Sequence, residues 1–130
     1  MPKFGKKSQA ELNTCDPRLI ELFEKVVEDF DCSVLQGHRS KEEQNELFEK
    51  GFSKLKYPKG RHNQYPSLAV DVAPYPIDWD DRERFTYFAG FVMGVAASMG
   101  LTIRWGGDWD RDTELKDNNF DDLPHFEIRD

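Results

Sequence analysis

Hydrophobic residues recur at helical spacing in two long parts of the chain. The first part follows Asp16 and Pro17, which suit the N-cap and the first position of a helix. The second part follows Asp80 and Asp81, either of which can cap a helix, and it ends at Gly100. In both parts the apolar positions have the spacing of a single helical face, which predicts two amphipathic helices.

A shorter helix is predicted over residues 40–50. Ser40 and Glu43 have the spacing of a capping box, in which each side chain accepts a hydrogen bond from the backbone of the other residue. Leu47 and Phe48 provide an apolar face, and a glycine follows where the helix should end. Local signals therefore define both ends of this helix.

Short segments bounded by glycine or proline, partly β-branched or alternating, predict strands at residues 32–36, 68–72, 101–105 and 125–128. Prolines are expected to block the second strand from continuing, and polar loops connect the elements. This arrangement predicts an α+β fold with a small antiparallel sheet and about three helices. Because 130 residues is close to the usual size of one domain, we expect residues 1–130 to form a single domain.

Composition and charge exclude several classes of function. The net charge is −7 and the basic residues are scattered, so nucleic acid is not an expected partner. Apolar runs are far shorter than the roughly 20 residues that cross a bilayer, and the basic start lacks the apolar stretch of a signal peptide. We therefore expect no membrane span and synthesis in the cytoplasm. Cys15 and Cys32 are too few for a disulfide framework and are expected to be reduced and structural.

His62, Asp71 and His125 are candidate metal ligands. His62 lies in a polar loop ahead of the strand that carries Asp71, and His125 begins the last strand. If these two strands are neighbours, two imidazoles and a carboxylate converge, which suits zinc with an open fourth position. Asp122, three residues before His125, is then a candidate base. On spacing alone the alternative remains a solvated His62, a turn-capping Asp71 and a His125 paired with a neighbouring acid.

Four segments, in order along nearly the whole chain, resemble the M15 family of zinc metallopeptidases. They are Gln-Gly-His-Arg-Ser at 36–40, Gly-Arg-His at 60–62 leading to Ala-Val-Asp at 69–71, Trp-Gly-Gly-Asp-Trp at 105–109, and Asp-Leu-Pro-His-Phe at 122–126. They are most similar to small phage endolysins that act as L-alanyl-D-glutamate peptidases. The resemblance implies a Hedgehog/D-Ala-D-Ala-peptidase-like fold and zinc bound by His62, Asp71 and His125. It also implies Asp122 as the catalytic acid/base and Arg39 as the residue that polarises the scissile carbonyl.

The chain departs from the family pattern near its first metal ligand. Gly60 stands where the family often has serine, and Asp71 follows His62 at a longer spacing than is common. A bulge of the loop at 63–68 would absorb the difference. His38 has no metal role in the family and is expected not to bind the ion.

Other residues near these motifs have possible roles in the site. Glu127 lies two residues after His125 and therefore on the same strand face, where it could orient the imidazole or form a surface ion pair. Three aromatic residues could line a cleft or pack in the core: Trp105, Trp109 and Tyr75. Acidic residues at alternate positions after Gly107 resemble part of a calcium-binding loop, but the glycine and glutamate of an EF-hand are missing. Two interpretations remain for this segment: a regulatory Ca²⁺ site or a solvated loop. These acids are Asp108, Asp110, Asp112, Glu114 and Asp117.

The resemblance implies hydrolysis of peptidoglycan stem peptides, with the L-Ala-D-Glu bond favoured. Two alternatives remain: a D-Ala-D-Ala carboxypeptidase on the same scaffold, and a non-catalytic, zinc-stabilised module that binds the cell wall. Asp122 and Arg39 together argue against the inert module, because a structural zinc site needs neither residue and usually has a fourth protein ligand. We expect a monomer that is made in the host cytoplasm and acts on the wall after release.

Overall fold

The computed structural model describes residues 2–53, 55–109, 111 and 122–129. Its α-helices are α1 (Lys6–Leu12), α2 (Pro17–Asp29), α3 (Lys41–Glu49) and α4 (Arg82–Ser98). Its strands are β1 (Cys32–Gln36), β2 (Ala69–Pro74), β3 (Ile103–Trp105) and β4 (His125–Ile128), and Arg61–Asn63 forms a short 3₁₀ helix. The predicted α+β class is confirmed. Across these ranges no helix has both the length and the apolar character needed to cross a membrane.

The four strands form one antiparallel sheet in the order β1-β2-β4-β3. Helices α2 and α4 pack together and cover one face of it. Phe126 on β4 lies at the centre of this core, with its ring centroid 5.5 Å from that of Phe23 and 6.1 Å from that of Phe88. Burial of these large aromatic rings helps to hold the helices against the sheet.

Alternation along the strands separates the core from a polar face. Inward-facing residues are apolar on each of the last three strands, and they are Val70, Val72, Ile103, Trp105, Phe126 and Ile128. The residues that alternate with them along the strands face away from the helices, and they are Asp71, Arg104, His125 and Glu127. A shift of one residue in the register would bury this charged set, so packing of the core also fixes the position of the polar side chains.

The predicted helix ends are confirmed. Asp16 caps α2, accepting a hydrogen bond of 2.9 Å from a backbone N–H of the first turn. Ser40 and Glu43 form the reciprocal capping box of α3, with bonds of 3.0 and 3.2 Å. Gly51 and Gly100 have φ values of +80° and +74° after α3 and α4, a conformation that side chains disfavour.

Helix α1 was not predicted from the sequence. It is short and polar, and Leu12 is its one buried residue, so it shows no amphipathic repeat. Tertiary contacts hold it against β1: the Ser8 hydroxyl accepts from the Val34 backbone N–H at 3.1 Å, and the Glu11 carboxylate accepts from the Gly37 N–H at 3.0 Å. Packing rather than local propensity accounts for this helix.

Strand β2 extends to Pro74, beyond the residue 72 where the prolines were expected to block it. Its pairing with β4 covers only Ala69 to Asp71, whereas its pairing with β1 continues to Pro74. The far end of β2 is therefore a sheet edge on its β4 side, where a proline without an N–H is tolerated. Strand β3 is shorter than predicted and begins at Ile103.

Candidate metal centre and active site

The three predicted metal ligands meet at one place on the polar face of the sheet. His62 comes from the 3₁₀ helix, Asp71 from the middle of β2 and His125 from the start of β4. Asp71 Oδ1 is 3.2 Å from His62 Nε2 and 3.4 Å from His125 Nδ1. One ligand atom from each residue lies within 4.8 Å of the others, which is the spacing of ligands around a single ion.

Each imidazole uses its other nitrogen to bind an oxygen acceptor. His62 Nδ1 donates to the Gly37 carbonyl at 2.7 Å, and His125 Nε2 donates to the Glu127 carboxylate at 2.7 Å. In the neutral rings the lone pairs of His62 Nε2 and His125 Nδ1 then face the Asp71 carboxylate, a repulsive arrangement unless a cation lies between them. A histidine that binds a metal usually donates a hydrogen bond from its other ring nitrogen, as both of these do. Two imidazoles and a carboxylate are a donor set that fits Zn²⁺.

The pKa shifts in this cluster indicate that it stabilises a positive charge. Burial alone would raise the pKa of Asp71, but the charge of His62 and hydrogen bonds from both imidazoles hold it well below its usual range. Burial lowers the pKa of His125, yet the hydrogen bonds to Asp71 and Glu127 dominate and raise it to about 9. Without a metal, a proton on His125 therefore supplies the cation at neutral pH.

The long spacing between His62 and Asp71 is absorbed by a loop that closes on itself. The Leu68 N–H donates to the Arg61 carbonyl at 3.2 Å, and of the residues between them only those at 64–66 are exposed, while Asn63 and Ser67 stay buried. Tyr65, in the middle of this loop, is 72% exposed. The bulge expected at 63–68 is thus present, and it leaves both ligands at the cluster.

Asp122 lies beside His125 at the mouth of the site. Its Oδ2 is 3.9 Å from His125 Nδ1. Gly106 holds this segment, since its N–H donates to the His125 carbonyl and its carbonyl accepts from the Asp122 N–H, both at 2.8 Å. A Cβ at Gly106 would collide with the Asp122 carbonyl oxygen. Burial and the Asp71 carboxylate raise the pKa of Asp122 above its ordinary value, as suits a group that exchanges protons.

Arg39 reaches the same cluster from the opposite side. Its Nη2 is 3.5 Å from Asp71 Oδ2, its Nε donates to Gln36 at 3.0 Å and its Nη1 donates to Gln44 at 2.9 Å. Gln44 is fully buried and was missed in the sequence. The available signal was its position three residues before Leu47, which puts an amide on the apolar side of α3.

Glu127 is buried between His125 and a group of arginines. Its Oε2 accepts hydrogen bonds from Arg61 at 3.2 Å, Arg104 at 3.0 Å and Arg129 at 3.2 Å. Burial opposes its ionisation, but the hydrogen bond and charge of His125 and the nearby arginines lower its pKa to about 2. The contact with His125 anticipated for Glu127 is present, while its 2% exposure rules out a surface ion pair. The arginines were not singled out in the sequence.

The three aromatic candidates have different positions. Trp109 lies at the site, with its ring centroid 5.1 Å from that of His125. Trp105 packs in the core and donates from Nε1 to the Leu123 carbonyl at 2.7 Å. Tyr75 is exposed at the far end of β2. Of these residues only Trp109 lines the cleft, because Trp105 points to the opposite face of the sheet and Tyr75 lies beyond it.

Two further sequence hypotheses concern residues outside the cluster. His38 Nδ1 is 3.0 Å from the Gln64 carbonyl, and this histidine is not part of the ligand group found among the described residues. Of the candidate calcium loop only Asp108 belongs to the described residues. The remaining acids lie outside them, and they are Asp110, Asp112, Glu114 and Asp117.

The cluster opens into a cleft with a volume of about 1020 Å³. The candidate ligands and Asp122 line it together with Arg39, and an apolar set from α3 and the segment after it continues the wall: Leu47, Phe52 and Leu55. A cleft of this size, with apolar side chains on one part of its wall and many polar and charged groups on the rest, suits an extended peptide. A bound amide would lie against a carboxylate, a guanidinium and a cation-binding cluster at once.

The chain is similar to known proteins over nearly its whole length. A family model for phage L-alanyl-D-glutamate peptidase matches residues 1–129. The L-alanyl-D-glutamate peptidase of Escherichia phage T5 is 32% identical over 129 residues, covering 92% of this chain and 93% of that protein. The crystal structure of the Serratia marcescens L-Ala D-Glu endopeptidase ChiX has the same fold, with a TM-score of 0.72 and 24% identity over 98% of this chain and 90% of that one. The resemblance inferred from the motifs is confirmed, and the chain belongs to the phage L-alanyl-D-glutamate peptidase family.

Proposed function

We propose that this chain is a zinc-dependent peptidase that hydrolyses the L-Ala-D-Glu bond of peptidoglycan stem peptides, with residues 1–130 forming one catalytic domain. The observation that carries the proposal is the convergence of His62 Nε2, Asp71 Oδ1 and His125 Nδ1 within 4.8 Å of one another. The second nitrogen of each imidazole is held by an oxygen acceptor, which leaves the facing lone pairs for an ion.

The ligands of the ion would be His62, Asp71 and His125. Zinc bound there would act as a Lewis acid, which would lower the pKa of water so that a hydroxide nucleophile is available at neutral pH, and would polarise the scissile carbonyl. Asp122, next to His125 and with a raised pKa, accepts the proton of the attacking water. It then passes this proton to the departing amine, so one carboxylate serves as base and then as acid.

Arg39 provides fixed positive charge for the oxygen of the scissile carbonyl. Hydrogen bonds to Gln36 and Gln44 hold its guanidinium at the edge of the cleft, so little reorganisation is needed during the reaction. Because Gln44 is buried and bonded in turn to the 53–55 loop, the position of Arg39 depends on α3 and on the loop that follows it.

The arrangement favours an enzyme over an inert binding module. Among the described residues, the ligand group consists of two histidines and one aspartate. A structural zinc site usually has four protein ligands, whereas a catalytic one keeps a position open to water or substrate. This group lines the cleft together with Asp122 and Arg39.

The choice of bond follows from family membership. The family description and the phage T5 relative both specify an L-alanyl-D-glutamate peptidase. We extend this activity to the chain and propose that it acts as a phage endolysin. In this role it would be made in the host cytoplasm and would reach the wall after release.

Digestion of purified peptidoglycan, followed by mass analysis of the released fragments, tests the proposal. We expect new termini at L-Ala and at D-Glu, with the products lost after treatment with a chelator and recovered when zinc is restored. Release of single D-Ala residues would instead indicate a D-Ala-D-Ala carboxypeptidase. Binding to the wall without any new terminus would overturn the proposal in favour of an inert module.

A further inference from the structure

Three arginines surround Glu127 on one side of the cleft. Arg61, Arg104 and Arg129 each donate to Glu127 Oε2, at 3.2, 3.0 and 3.2 Å respectively. All three also line the cleft, so we call them the arginine wall. They come from the 3₁₀ helix, from β3 and from the residue after β4, and only the folded chain brings them together.

The arginine wall carries three positive charges, more than the single negative charge of Glu127 can neutralise. One carboxylate neutralises one guanidinium, and Glu127 also accepts a hydrogen bond from His125. The side chains of Arg61, Arg104 and Arg129 are 30%, 27% and 35% exposed, so each still reaches solvent in the cleft. Among the described residues this is a local excess of positive charge, in a chain with a net charge of −7, and it favours an anionic ligand.

Donor groups of the wall remain available to such a ligand. Arg61 binds Glu127 through Nε and Arg129 through Nη1. Within the part of the chain that the structure describes, these are the only hydrogen bonds from the two guanidinium groups. The remaining N–H groups match the planar geometry of a carboxylate, which arginine binds in a bidentate manner.

The wall is fixed relative to the metal centre. Glu127 Oε1 binds His125 Nε2 at 2.7 Å, while His125 Nδ1 faces Asp71. The guanidinium of Arg104 also lies 5.0 Å from the ring centroid of Trp109, a cation–π contact that limits its motion. A ligand carboxylate held by this wall would therefore lie at a defined distance from the reacting bond.

The two sides of the cleft differ in chemistry. Arg39 contacts Gln36 on β1, whereas Arg104 lies on β3, the opposite edge strand of the sheet. The α3 side carries the apolar residues Leu47 and Phe52. A substrate with its scissile carbonyl near Arg39 can thus extend a small apolar residue to one side and a charged residue to the other.

We propose that the arginine wall is the subsite for the free carboxylate of the glutamate residue next to the scissile bond. This inference rests on the proposed L-Ala-D-Glu peptidase activity. Glutamate has two carboxyl groups, and whichever one continues the peptide, the other stays free and negatively charged at neutral pH. The wall would make this carboxylate a determinant of specificity, because an uncharged amide in its place cannot neutralise the guanidinium groups.

Paired stem-peptide fragments test the subsite: one with D-glutamate and one with D-isoglutamine, which differ only in amidation of the free carboxylate. We expect the wild-type protein to prefer the acid by at least about tenfold in kcat/KM, the usual effect of a hydrogen bond between charged groups. The variant Arg61→Gln should lower this acid-to-amide ratio toward one, mainly through KM for the acid. Arg18→Gln, which removes an arginine paired with Asp16 away from the cleft, should keep the wild-type ratio.

The ratio separates substrate binding from structural support. If Arg61 only stabilised Glu127 and His125, its loss would lower turnover of both fragments by the same factor, and the proposal would be overturned. Equal turnover of the two fragments by the wild-type protein would overturn it as well, while leaving the peptidase activity established. If neither fragment is cleaved, the proposed function itself fails and the subsite fails with it.

Discussion

Asp71 and His125 are directly opposite one another on the antiparallel strands β2 and β4. Their side chains share the polar face of the sheet, with Asp71 Oδ1 3.4 Å from His125 Nδ1. A cross-strand pair of this kind is positioned by the backbone ladder itself. The register of the sheet thus sets the geometry of the candidate metal centre, and of the three proposed ligands only His62 depends on a loop.

Replacing His125 by alanine should abolish both metal binding and hydrolysis. The change removes one of the ligands and leaves Asp71 and Glu127 without their shared partner. We expect zinc content to fall from one equivalent to near zero, as measured by atomic absorption after dialysis. A variant that kept stoichiometric zinc would contradict the assignment of His125.

The change Asp122→Asn should separate catalysis from metal binding. Asparagine preserves the size of the side chain but cannot accept the proton, so kcat should fall by roughly 10²–10⁴-fold, the usual contribution of a general acid/base. Zinc content and the thermal midpoint of unfolding should match those of the wild-type protein. Undiminished turnover would show that another group moves the proton.

Zinc affinity should increase with pH between about 7 and 9. The hydrogen bonds around His125 raise its pKa to about 9, so in the metal-free protein a proton must leave before zinc can bind. Affinity should gain about tenfold per pH unit in this range and level off above it. Calorimetry in buffers of different ionisation enthalpy would detect the released proton, and an affinity independent of pH would contradict this reasoning.

The same raised pKa has a consequence for the stability of the metal-free protein. The folded state binds the His125 proton more tightly than the unfolded state does, so this contribution is fully present below pH 6.5. It is lost as the pH rises through about 9, which adds to the advantage of the zinc-bound form at alkaline pH.

Gly106→Ala should impair catalysis without removing the metal. The new Cβ would collide with the Asp122 carbonyl and displace the proposed acid/base, while all the ligands remain. We expect kcat to fall at least about tenfold, since small misplacements of catalytic groups are costly. Gly90→Ala is a suitable control, because a Cβ there meets nothing within 4 Å and lies in helix α4. It should retain activity and gain about 0.5–1 kcal/mol of stability.

Cys15 and Cys32 should resist alkylation in the folded protein. Both are free, and burial raises the pKa of each thiol to about 12, so very little reactive thiolate forms at neutral pH. Mass spectrometry after treatment with iodoacetamide should show no adduct under native conditions and two adducts after denaturation. Rapid modification of the native protein would show that the core opens on the time scale of the reaction.

Local signals explain why much of this fold could be predicted. Asp16, Ser40 and Gly100 act through nearby backbone groups, so their roles can be recognised from a few neighbouring residues. The proposed ligands were identified by a different route, in which residue type and the family motifs outweighed spacing. Their convergence still required β2 and β4 to be neighbours, which spacing alone did not establish.

Other parts of the site depend on contacts between distant segments. Gln44 binds Ser53 and Leu55 in the segment after α3, and Arg61 and Arg104 both bind Glu127 near the end of the chain. Such contacts cannot be recognised from the length and polarity of a single segment. Helix α1 was missed for the same reason, since only packing against β1 gives it a buried side.

The contacts of α1 extend its influence to the catalytic centre. Glu11 accepts from the N–H of Gly37, whose carbonyl in turn binds His62 Nδ1. Trimming the amino-terminal helix, a common step when shortening a protein for crystallisation or fusion, would loosen the backbone at Gly37 and let the imidazole rotate. The first dozen residues therefore help to hold the His62 imidazole in place, although His62 follows them by about fifty positions in the chain.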